Sequence, residues 1–231
     1  MKNAINLNEI DSDGAIREAA DAVSGDTRLS FLKKAGVAGV ATVSGGAVLS
    51  ALAPSAFASS QFGRPPAKFG KGDIGILNYA LTLEYLEAAF YNGATAANMS
   101  LTPQAEAFLK VVTRDENAHV AFLKKALGSK AATEPTFKFN GANTSPEKFM
   151  ATAEVLENTG VHAYSGQALN ITTAAYVKAA VSILTIEARH ASVIGLLNDP
   201  TGNSIAPNGP FDTPYTAEKV LAAVKSTGFI V

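Results

Sequence analysis

At 231 residues, 47% hydrophobic and 17% charged, the chain can bury a substantial core in one or two domains and is too apolar to be disordered. Its formal charge of -1 comes from 19 basic and 20 acidic residues, and no stretch joins basic residues to aromatics, so nucleic acid is not an expected partner. Cysteine is absent, which excludes thiolate metal sites, iron–sulfur clusters, thiol catalysis and disulfides. A bound metal must be held by oxygen and imidazole nitrogen, which suits iron, manganese or zinc.

Residues 1–58 read as an export signal with a polar extension, outside the fold. Residues 1–26 are polar and mixed in charge. Arg28-Leu29-Ser30-Phe31-Leu32-Lys33-Lys34 then leads into a Gly- and Ala-rich apolar run from Ala35 to Ala53, and Ala56-Phe57-Ala58 forms an A-x-A-type cleavage site. The phrase from Thr27 to Lys33 resembles a twin-arginine signal, with Leu29 in place of the second arginine. The expected location is the periplasm, cell envelope or exterior. Cleavage is the preferred outcome, and retention as a membrane anchor is the alternative.

Residues 59–72, with Pro65-Pro66, Gly70 and Gly72, read as a linker. A first helix is expected from Asp73 as cap to Tyr91, stopped by Asn92-Gly93. Thr102-Pro103 opens a second helix that runs to Leu127 and stops at Gly128. Residues 129–144 have no helical period, after which Ser145-Pro146 starts a third helix to about Leu169. Thr172 or Thr173 restarts a fourth, which ends near Asn198, and a short fifth helix is expected from Pro214 to Lys225 within the C-terminal segment 199–231. Short links pair these helices as two antiparallel hairpins. The link of about 17 residues between the second and third can run the ~37 Å length of a 25-residue helix. The expected fold is therefore all-α, a four-helix bundle over residues 73–198 with one long crossover between helices 2 and 3.

Two of the three histidines close the phrase Glu-x-x-His, at Glu116–His119 and Glu187–His190. Residues i and i+3 share a helix face, so each phrase aims a carboxylate and an imidazole the same way. The hairpins also repeat each other. Glu84 precedes Tyr91 by seven residues and Glu116 by 32, while Glu157 precedes Tyr164 by seven and Glu187 by 30. A seven-residue step is two helical turns and keeps each tyrosine on its glutamate's stripe. On this ground Glu84 and Glu157 are preferred to their neighbours Glu87 and Glu154. His162, some 140° round the helix from Glu157, reads as a boundary or surface residue. Gly160, Gly166 and Gly195 read as close-packing points, and Phe108, Phe122 and Phe149 as core.

The phrases Asn78–Tyr91, Arg114–His119, Glu157–Tyr164 and Glu187–His190 together resemble the ferritin-like superfamily of di-iron and di-manganese carboxylate proteins, and above all its exported, desiccation-related branch. The resemblance implies a ferritin-like bundle with two metal ions, iron or manganese. Glu84 and Glu157 would each bind one metal, Glu116 and Glu187 would bridge them, and His119 and His190 would complete the two shells. Asp115 is implied to hydrogen-bond the opposite histidine, with Ile186 standing at the matching position of the second half. Tyr91 and Tyr164 are implied to donate to the terminal carboxylates. Four carboxylates without metal would be hard to keep charged in an apolar core.

Two functions are expected from this site. The first is an oxidoreductase that uses dioxygen or hydrogen peroxide, with Fe(II) oxidation or peroxide removal as its output and an external electron donor. The second is a non-catalytic metal-binding or stress-protective protein of the envelope. Storage of iron in a cage ranks below both, and a homo-oligomer is allowed.

Overall fold

The computed structural model describes residues 63–231, so the export signal of residues 1–58 lies outside the described residues. Four long helices, α1 (Gly72–Ala97), α2 (Pro103–Leu127), α3 (Pro146–Ala168) and α4 (Ala174–Asn198), form the bundle, and α5 (Ala217–Thr227) closes the chain. α1 packs along α2 and α3 along α4, with α2 meeting α4 and α1 meeting α3 across the bundle. Residues 128–145 make the long crossover, so the expected all-α architecture and connectivity are found.

Helix starts follow the capping chemistry in part. The Thr102 side chain accepts from the Ala105 amide at 3.2 Å ahead of Pro103, whereas Ser145 makes no such bond ahead of Pro146. Asp73 does not cap its own helix; it lies in the first turn of α1 and serves α4 instead. Its carboxylate accepts from the backbone amides of Thr172 and Thr173 at 2.9 and 2.8 Å, satisfying the orphan donors where α4 begins. Burial works against its charge, but these bonds and those from the threonine hydroxyls hold the Asp73 carboxyl below its ordinary value.

Two helix limits differ from expectation. α1 runs through Asn92-Gly93 and ends at Asn98, whose φ of 48° forms a left-handed cap. Gly93 is a close-approach point, because a Cβ there would collide with the Asn143 side chain, which donates to Phe90 O at 3.2 Å. α5 begins at Thr216, which caps the Lys219 amide, because Tyr215 is engaged elsewhere: its amide donates to His162 O at 3.1 Å. Beyond α5, Phe137 and Ile230 form an isolated antiparallel bridge, with Lys138 N on Phe229 O at 2.8 Å and Val231 N on Thr136 O at 3.0 Å.

The apolar core forms two clusters along the bundle axis. One holds Phe90, Tyr91, Phe108, Val112, Phe149 and Ile194; the other holds Leu77, Leu81, Tyr85, Leu123 and Ile183. Phe108 and Phe149 are core as expected, but Phe122 is 44% exposed, on the outer side of α2.

Candidate metal centre

Midway along the bundle, each of the four helices turns one glutamate inward. Glu84 (α1), Glu116 (α2), Glu157 (α3) and Glu187 (α4) are each 0% exposed, and His190 and His119 stand beside them almost as deeply. His119 Nδ1 lies 3.1 Å from Glu116 Oε2, 3.2 Å from Glu84 Oε2 and 3.2 Å from Glu187 Oε1. His190 Nδ1 lies 3.1 Å from Glu116 Oε1 and 3.3 Å from Glu157 Oε2. Two overlapping sets result: Glu84, Glu116, His119 and Glu187, and Glu116, Glu157, Glu187 and His190. Within each, the donor atoms lie within 4.8 Å of one another. Glu116 and Glu187 belong to both sets.

The residues around these sets orient them. Tyr91 donates to Glu157 Oε1 and Tyr164 to Glu84 Oε1, so each tyrosine serves the carboxylate of the other hairpin and not the one on its own stripe. One oxygen of each terminal carboxylate is thereby occupied, and the other faces the histidine. Asp115 Oδ2 lies 3.3 Å from His190 Nε2, which leaves Nδ1 as the inward atom. Ile186 provides no counterpart in the second half, so the two histidines are held differently.

Protonation of the metal-free site follows from burial and crowding. Burial, then the Glu84 charge, pushes the Glu116 carboxyl up to about 7 against the pull of both histidines. Burial and the facing Glu116 carboxylate hold Glu187 well above the carboxylate range. Burial disfavours charge on His190, but its bonds to Glu116 and Glu157 prevail and raise it to about 11; His119 is raised for the same reason by Glu116, Glu187 and Glu84. Glu84 is held low despite burial, because His119 and the Tyr164 hydroxyl bond its charged form.

The donor set fits a metal pair. Apart from the histidine contacts of 3.1–3.3 Å given above, Glu84 Oε2, Glu116 Oε1, Glu157 Oε2, both Glu187 oxygens and His190 Nδ1 are buried without a hydrogen-bond partner. Orphaned atoms of that kind are costly to bury, and here they converge on one place. Four carboxylates would also balance the charge of two divalent ions.

Of the residues set aside in the sequence, Glu154 stays outside, accepting from the Asn198 amide at 2.6 Å. Glu87 is a fifth buried carboxylate, 4% exposed. A Cβ on Gly160 would stand 2.8 Å from Glu187 Oε2 and 3.4 Å from Glu87 Oε1, so that glycine makes room for both carboxylates. Burial first, then repulsion from the other four glutamates, drives Glu87 well above its ordinary value. A signal for it was available: aligning Glu84 with Glu157 sets Glu87 against Gly160. His162 is buried and not a surface residue, because Tyr215 folds over it with ring centroids 4.1 Å apart; it stays away from both donor sets. Gly166 and Gly195 admit the backbones of Tyr215 and Ser204 at close range, as packing points.

A family model described as the ferritin-like domain matches residues 72–199, from the start of α1 to the residue after α4. No curated protein matches the chain.

Proposed function

The chain belongs to the ferritin-like domain family, and from that premise we propose that it is an exported protein with a dinuclear iron or manganese centre that oxidises Fe(II) or reduces dioxygen or peroxide. The observation that carries this reading is the pair of buried donor sets sharing Glu116 and Glu187. Glu84 and His119 would hold one ion, Glu157 and His190 the other, and Glu116 and Glu187 both. When bound, such a pair supplies two electrons, one from each ion, enough to take dioxygen and two protons to hydrogen peroxide, or peroxide and two protons to two waters.

The chain's own residues prepare that chemistry. Tyr91 and Tyr164 each occupy one oxygen of a terminal carboxylate and so direct the other oxygen inward. Asp115 holds the His190 ring by Nε2. The two apolar clusters on either side keep bulk water from the charged layer. Electrons would come from an external donor, since a chain without cysteine has no thiolate redox centre of its own. The signal-like residues 1–58 support export.

Metal analysis of the purified protein is the first test, with about two irons or two manganese per chain expected. Well under one metal per chain after Fe(II) or Mn(II) loading would end the reading. Stopped-flow mixing of the Fe(II)-loaded protein with oxygen or peroxide then separates the two functions. Oxidation faster than that of free iron and lost in Glu116→Ala supports the oxidoreductase; oxidation no faster than free iron assigns a metal-holding or protective role.

A further inference from the structure

Aligning the two hairpins on their glutamates, Glu84 with Glu157 and Glu116 with Glu187, superimposes the layers on either side of the metal site and exposes an asymmetry. At one end of the bundle, Phe90 and Phe149 stack with centroids 5.7 Å apart, and Phe108 packs beside them against Tyr91. The residues at the matching positions of the other half are Ala163, Ile76 and Ala179. Three phenylalanines at one end thus correspond to two alanines and an isoleucine at the other. The volume they leave unfilled is a cavity of about 30 Å³ lined by Ala80, Leu83, Ala163, Ala180 and Ile183, among others.

Its position relative to the site follows from helix register. Ala80 lies one turn before Glu84, Ile183 one turn before Glu187, and Leu123 one turn after His119, and all three line the cavity. One turn is ~5.4 Å, so the cavity is the layer next to the metal-binding layer, on the Glu84 and His119 side. Tyr164 connects the two, lining the cavity while its hydroxyl donates to Glu84. Phe122, Tyr176, Ala179 and Ile183 also line an outer groove of about 650 Å³ between α2 and α4, which gives the cavity a way to solvent.

We propose that this cavity admits dioxygen and delivers it to the Glu84 and His119 side of the centre, which makes dioxygen and not hydrogen peroxide the oxidant. The inference rests on the oxidoreductase reading above. A cavity this size holds one small molecule, and its apolar wall excludes water, which needs two to four polar partners. Gln167 borders the cavity with its amide engaged by Gly63 O and Asn170. That leaves the Tyr79 hydroxyl, buried and without a partner, and the hydroxyl of half-buried Tyr176 at the groove side as the uncommitted polar atoms among the lining residues. Peroxide carries two donors and two oxygens that need acceptors and donors in return, and two hydroxyls on an otherwise apolar wall cannot replace its hydration. Dioxygen loses almost nothing on leaving water for such a space.

The test has two parts on the full-length, metal-loaded protein. In crystals under xenon pressure, one xenon should occupy the cavity in the wild type and none in Ala163→Phe, which installs the residue of the other half. In stopped-flow experiments, Ala163→Phe should raise the oxygen concentration for half-maximal oxidation about tenfold, with metal content and the rate with peroxide unchanged. Ala179→Phe, at the half-buried rim, serves if Ala163→Phe does not fold. An empty cavity under xenon, xenon retained in the filled variants, or an equal loss of the oxygen and peroxide reactions overturns the proposal. If the wild-type protein takes up xenon but reacts with peroxide and not with oxygen, the oxygen route is overturned while the oxidoreductase reading stands; if it reacts with neither, that reading fails and the route falls with it. The gas site itself is then still decided by xenon.

Discussion

Each terminal glutamate of the centre is held from across the bundle, Glu84 by Tyr164 and Glu157 by Tyr91. A hydroxyl so placed has two effects: it satisfies one carboxylate oxygen in a buried layer, and it ties the two hairpins together at the site. Tyr164→Phe removes the donor and keeps the ring. We expect the fold to survive and metal affinity to fall, by the order of 10–100-fold seen when outer-shell partners are lost. Competitive metal titration of the two proteins decides this, and equal affinity would mean the tyrosine only fills space. The same swap accounts for what was legible at this scale. Spacing along each helix put Glu84, Glu116, His119, Glu157, Glu187 and His190 on repeated stripes, and the family resemblance made them one set, which the structure brings together. Spacing linked each tyrosine to its own glutamate, because a stripe on one helix carries no information about which neighbour it meets. Glu84 is in the donor set and Glu87 is not, as preferred, but the burial of Glu87 and His162 was not legible, for a related reason: one is buried by room left at Gly160, the other by a tail residue more than fifty positions later.

At the scale of the elements, the two Pro-led helices look alike in sequence and differ in how they are capped. Thr102→Ala should cost about 1 kcal/mol of stability and Ser145→Ala close to nothing, because only Thr102 makes the side-chain bond. Asp73→Ala should also cost about 1 kcal/mol, through the start of α4 and not of α1. Denaturant melts of the three variants test the order. Gly166→Ala should be worse than Gly93→Ala, because the first collides with the Tyr215 backbone and the second with the end of a side chain that can move. Helix limits set by local chemistry, such as Pro103 to Gly128, were readable. Those set by a distant contact were not: Asn92-Gly93 resembles a stop only until Asn143 is known to lie against it.

For the whole molecule, the metal-free bundle is a protein whose stability depends on retained protons. Glu116, Glu187, His119 and His190 all hold protons in the folded state that the unfolded chain gives up at lower pH. Stability from these groups is therefore full at low pH and lost as pH climbs, through about 7 for Glu116 and about 11 for His190. Glu84 works the other way, stabilising above the ordinary carboxylate range and losing that contribution as pH falls below it. The Tm of the metal-free protein should accordingly decline from about pH 5 to pH 9, while the metal-loaded protein changes little. Loading near neutral pH should release about three to four protons, two from the histidines, one from Glu187 and a fraction from Glu116, measurable by calorimetry in buffers of different ionisation enthalpy.

The bridge between Phe137 and Ile230 has a consequence for the order in which the protein takes shape during synthesis. The crossover leaves the ribosome some ninety residues ahead of the segment that fastens it, so α1 to α4 are all complete while residues 136–138 still lack their partner. Tyr215, which covers His162, also arrives after the bundle helices. The last stage of folding is thus the placing of a tail over a finished bundle, and the newly made chain passes through an interval in which its long loop is still unfastened.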